Sequence, residues 1–113
     1  MKRIYIAGAL NADAVHYIQN LHRMIIWADK IRKQGCGVFI PCLDFLSGLV
    51  DGHYNYSDYF DNNQPWMEVA DAIFVTPGWE NSGGTHKEIT RAAELDIPVF
   101  YTIESFMEWL KGE

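Results

Sequence analysis

Hydrophobic and polar positions along the chain alternate between two periods. Short apolar runs at Ile4-Tyr5-Ile6-Ala7, Val38-Phe39-Ile40, Ala72 to Thr76 and Ile97-Pro98-Val99-Phe100-Tyr101 read as strands, that of Ala72 to Thr76 as a buried one. Between them lie segments of helical period. From about Ala14 to Gln34, Val15, Ile18, Leu21, Ile25 and Ala28 recur on one face, with Gly35 as the stop and His16, His22, Asp29, Lys30, Arg32 and Lys33 on the wet side. Gln64 to Ala70 reads as a helix with Pro65 at its start. Glu88 to Leu95 reads as a helix with Ile89, Ala92 and Ala93 inward, and Glu104 to Lys111 as a last one carrying Phe106, Trp109 and Leu110.

Strands alternating with helices predict an α/β fold, flavodoxin-like or Rossmann-like. Its parallel sheet has four main strands in the order 2-1-3-4, with helices on both faces. Residues 1–113 form one domain. The segment 42–63 breaks the pattern: Leu43 to Val50 fits a short helix, and 51–63 has no clean period. A connection of that length reads as an insertion or lid, and its Tyr54, Tyr56, Tyr59 and Phe60 suit a lid or a subunit contact.

The sheet order places its switch point between the first and third strands. The end of the first strand, Tyr5 to Asn11, then lies beside the loop Pro77-Gly78-Trp79-Glu80-Asn81-Ser82-Gly83-Gly84-Thr85-His86-Lys87-Glu88. Gly83 and Gly84 allow close approach of backbone to a ligand, and a helix start offers free N–H groups to an anion. The same residues admit a structural reading, in which Thr85 and Glu88 form a capping box.

A net charge of −6 argues against a nucleic-acid polymer or an anionic membrane as partner. A small phosphorylated ligand held by backbone amides remains compatible with it. No apolar run is long enough to span a bilayer. Cys36 and Cys42 lack zinc spacing and read as buried free thiols, so the expected location is the cytoplasm of a bacterial or phage-infected cell. Asp51, Asp58 and Asp61 beside His53 match no calcium loop, and neither a metal nor a cofactor is expected.

Tyr5-Ile6-Ala7-Gly8, Ala70-Asp71-Ala72-Ile73 and the Ser-x-Gly-x-x-x-Glu spacing of Ser82, Gly84 and Glu88, in this order, resemble the nucleoside 2-deoxyribosyltransferase superfamily, which includes 2'-deoxynucleoside 5'-phosphate N-hydrolases. The resemblance covers the chain outside Leu43 to about Asn62. It implies that Glu88 is a nucleophile toward the anomeric carbon of a nucleoside or its 5'-monophosphate, with hydrolysis or transfer to a second base to follow. Tyr5 would orient Glu88 or the sugar. Ser82, with Gly83 and Gly84, would hold the 5' end, and Gly8, Ala9, Asn11 and Trp79 would line the crevice. The family's aspartate for the leaving base falls on Asn63, an amide that cannot donate a catalytic proton, and Asp61 lies two residues away. Ala9 also departs from the proline or serine common there. A homo-oligomer is expected, and a non-catalytic nucleotide-binding module is the alternative function.

Overall fold

A computed structural model describes residues 1–10 and 13–112. The strands are β1 (Arg3–Ala7), β2 (Gly37–Phe39), β3 (Ala72–Val75) and β4 (Val99–Phe100). The helices are α1 (Ala14–Arg32), α2 (Phe45–Asp51), α3 (Tyr56–Glu68), α4 (Gly83–Glu94) and α5 (Ile103–Gly112), with a 3-10 turn at Pro41–Asp44. All four strands are parallel, in the order β2-β1-β3-β4. The α/β class, the strand order and the covering of both sheet faces are as the sequence predicts.

Alternation along β1 and β3 sorts the core into two layers. Ile4, Ile6, Ala72 and Phe74 pack with Met24, Ala28 and Ile31 of α1 and Phe106 of α5. Tyr5, Ala7, Ile73 and Val75 pack on the other face with Met67 of α3 and Ala92 of α4. Tyr5 pairs with Ile73 across β1 and β3. The start of β3 is pinned to β1 by Asp71, whose carboxylate accepts from the Arg3 N–H (2.7 Å) and whose own N–H donates to the Arg3 carbonyl (2.7 Å). Cys36 and Cys42 are both buried free thiols.

Three local expectations are corrected. The buried stripe of α1 is Met24, Ala28 and Ile31, whereas Val15 and Ile18 are 65% and 67% exposed. A 19-residue helix spans about 28 Å, and the five residues of β1 about 16 Å, so the first turns of α1 overhang the sheet. The second correction concerns 51–63, which is largely helical. Asn55 caps α3 in a reciprocal box with Asp58, and the helix runs through Asn63 to Glu68. Pro65 is therefore inside a helix rather than at its start. Finally, Ala93 is exposed, whereas Ala92 is buried and Ile89 half-buried.

Candidate active site at the carboxyl edge of the sheet

Ser82 closes the loop after β3 and starts α4. Its Oγ accepts from the Thr85 backbone N–H (3.2 Å) and the Thr85 hydroxyl (2.9 Å), and its carbonyl accepts from the His86 N–H (3.1 Å). This cap replaces the predicted Thr85–Glu88 box. Gly83 and Gly84 are the first two helical residues, whose N–H groups have no intrahelical acceptor. Moving the cap back three residues places Glu88 in the second turn. Its carboxyl is thereby freed from backbone capping and turned toward the sheet.

There it meets Tyr5. The Tyr5 hydroxyl donates to Glu88 Oε2 at 2.5 Å. The phenol ring is fully buried and stacked on Phe39, with centroids 5.5 Å apart, and Phe39 stacks in turn on Trp66 at 5.7 Å. Burial raises the Glu88 carboxyl to about 7, and the bond from Tyr5 opposes that rise by favouring the ionised form. The Tyr5 phenol is pushed far above its ordinary range, first by burial and then by the charge of Glu88, so it stays a donor at every physiological pH. A carboxyl poised near neutrality beside a fixed phenol donor can act as a nucleophile or as a base.

Two groups that the sequence did not place in the site complete its walls. Tyr56, at the start of α3, feels the Glu88 charge, and its hydroxyl lies where a Cβ on Gly84 would come within 3.0 Å. Gly84 thus answers a close approach from α3. Asp44, ending the 3-10 turn after β2, acts electrostatically on Tyr5. A tyrosine in an aperiodic stretch and an aspartate after a proline carried no signal in spacing.

The predicted residues divide. Tyr5 and Glu88 come together, Gly84 lies against Tyr56 beside them, and Ser82 and Gly83 open the same helix. Asn63 is 7% exposed, on the same inward face of α3 as Met67, and its Oδ1 has no hydrogen-bond partner among the described residues. Asp61 is exposed, two residues and so about 200° around the helix from Asn63. Gly8 is explained by packing, since a Cβ there would lie 2.0 Å from Thr76 Oγ1. Ala9 is half-buried and Asn11 lies outside the described residues. Trp79 packs on His86 and Tyr101, at 5.1 and 5.2 Å between centroids. Asp58 and Asp51 are engaged by backbone N–H groups of Asn55 and His53. Among the described residues there is no group of three or more His, Cys, Asp or Glu able to hold a metal ion, and no helix is long and apolar enough to cross a membrane. An open groove of about 420 Å³ between α3 and α4, lined by Phe60, His86, Lys87, Thr90, Arg91 and Glu94, contains neither Tyr5 nor Glu88.

These features define a parallel α/β domain with a Tyr–Glu pair at the carboxyl edge of its central strands, where open sheets place their ligands. The chain belongs to the family described as Domain of unknown function (DUF4406), whose model matches residues 2–101. No curated protein matches it.

Proposed function

We propose that the protein cleaves, or transfers across, the N-glycosidic bond of a nucleoside or its 5'-monophosphate, with Glu88 as nucleophile. The observation that carries this reading is the 2.5 Å bond from the buried Tyr5 hydroxyl to Glu88. It fixes one carboxylate oxygen and leaves the other for the anomeric carbon. In the first step an oxygen of ionised Glu88 bonds to C1', and the C1'–N pair departs with the base. In the second, water or an acceptor base attacks C1' and releases Glu88. A carboxylate suits both steps because the transition states resemble an oxocarbenium ion. The N–H groups of Gly83 and Gly84 and the N-terminus of α4 suit a 5'-phosphate or 5'-hydroxyl. The resemblance in the Tyr5-x-x-Gly8 and Ser82-x-Gly84-x-x-x-Glu88 stretches supports the same chemistry.

A second reading is favoured by one observation. Asn63, at the position expected for the proton donor, is an amide, so the crevice would hold a nucleotide without cleaving it. Chromatography of free base from a panel of nucleosides and 5'-monophosphates, with and without an acceptor base, separates the two. Base release identifies the enzyme, and its dependence on acceptor distinguishes transfer from hydrolysis. Binding without release identifies the module.

A further inference from the structure

A base leaving C1' with the bonding pair needs a proton, and neither sequence candidate supplies one: Asn63 is an amide and Asp61 faces solvent. The described residues contain one other carboxyl that acts on Tyr5, that of Asp44. Asp44 occupies the N-cap position of α2, where an aspartate ordinarily accepts from the helix backbone, yet its side chain makes no capping hydrogen bond. Its Oδ2 is instead buried, with no partner among the described residues. The topology brings it to the same edge of the sheet as Tyr5 and Glu88. Asp44 follows β2, Glu88 follows β3, and Tyr5 stands on β1 between those strands. The strand order thus puts the turn that carries Asp44 and the helix that carries Glu88 on opposite flanks of β1, the arrangement from which a nucleophile and an acid can flank a glycosidic bond. The Asn62 side chain hydrogen-bonds the Asp44 carboxyl and opposes part of the effect of burial, and the next residue, Asn63, has an unpartnered Oδ1 on the inner face of α3.

We propose that Asp44 is the general acid for the leaving base. This assignment rests on the glycosidase reading above. As the C1'–N bond breaks, the Asp44 carboxyl gives its proton to a ring nitrogen of the base, which departs neutral. The Asp44 carboxylate then takes a proton from the water that attacks C1' and frees Glu88. Burial supports the role, since it holds the Asp44 carboxyl above its ordinary range.

The test compares wild type, Asp44→Asn and Glu88→Gln on two 5'-monophosphates: an ordinary purine 2'-deoxynucleotide, and its N7-methylated analogue, whose cationic base leaves without being protonated. Asp44→Asn is expected to slow release of the ordinary base by about a hundredfold or more. In a single turnover, before water has to free Glu88, it should release the N7-methylated base within a few-fold of wild type, which also shows that the variant is folded. Glu88→Gln should be slow on both. Equal rates for wild type and Asp44→Asn on the ordinary substrate, or equal losses on both substrates, overturn the assignment while leaving the glycosidase reading in place. No enzyme-dependent release of either base by wild type overturns both.

Discussion

The Tyr5 hydroxyl on the central strand and the Glu88 carboxyl on α4 are 83 residues apart in sequence and 2.5 Å apart in space. Tyr5 is fully buried and stacked, so the donor does not move, and the carboxyl is oriented by it. Burial raises the carboxyl and the bond from Tyr5, by favouring the ionised form, lowers it, the balance standing at about 7.

Tyr5→Phe keeps the ring on Phe39 and removes only the donor. We expect the Glu88 carboxyl to rise further, so the ascending limb of activity against pH, set by ionisation of Glu88, moves to higher pH. An unchanged limb in the variant's pH–rate profile would contradict this role of Tyr5.

Glu88 also ties stability to pH. Its folded value of about 7 lies above the ordinary 4.5, so the folded state holds a proton that the unfolded state releases between those values. The stability from neutral Glu88 is fully present below about 4.5 and is lost as pH rises through about 7. The melting temperature of Glu88→Gln, measured relative to wild type, should therefore climb between pH 5 and 8, on the order of that interval. A pH-independent difference would show that Glu88 is not desolvated.

The Ser82 cap predicts a separate effect. Ser82→Ala removes the acceptor of the Thr85 N–H and leaves the buried Thr85 hydroxyl without it. Loss of stability in urea unfolding should be about 1–2 kcal/mol, and Ser82→Asn, which keeps a capping oxygen, should lose less. A neutral Ser82→Ala would mean the start of α4 is set elsewhere.

The fold was legible because its strands are apolar runs and its helices mostly have a clean stripe. The site was legible where glycines and a serine punctuate a strand-to-helix junction. Residues 56–63 were not, for a physical reason. The inward stripe of α3 is Phe60, Asn63, Gln64 and Met67, a regular helical spacing whose middle is polar. Hydrophobic periodicity cannot find a helix that turns amides inward. The side chains of Asn63 and Gln64 carry buried polar atoms without partners among the described residues, which suits a surface awaiting a ligand. The capping box was misplaced because Thr85 and Glu88 have the right spacing, but Ser82 lies three residues earlier and captures Thr85 first.

The homo-oligomer expected from sequence has a surface suited to it. Val15 and Ile18 of α1 and Leu46, Leu49 and Val50 of α2 are exposed, and Tyr17 against Phe45, at 5.4 Å, ties the two helices together. We propose that this face pairs two copies. Light scattering should report a dimer at roughly tens of micromolar protein, converted to monomer by Ile18→Asp with Leu46→Asp. A monomeric wild type would contradict it.

The most direct test of the account is the rate of base release from a 2'-deoxynucleoside 5'-monophosphate by wild type and Glu88→Gln, with binding of the nucleotide followed by calorimetry. The account predicts free base from wild type and a loss of about a thousandfold or more in the variant, with nucleotide binding retained. Undiminished release by Glu88→Gln would contradict the assignment of the nucleophile, and binding without release by wild type would make the protein a nucleotide-binding module.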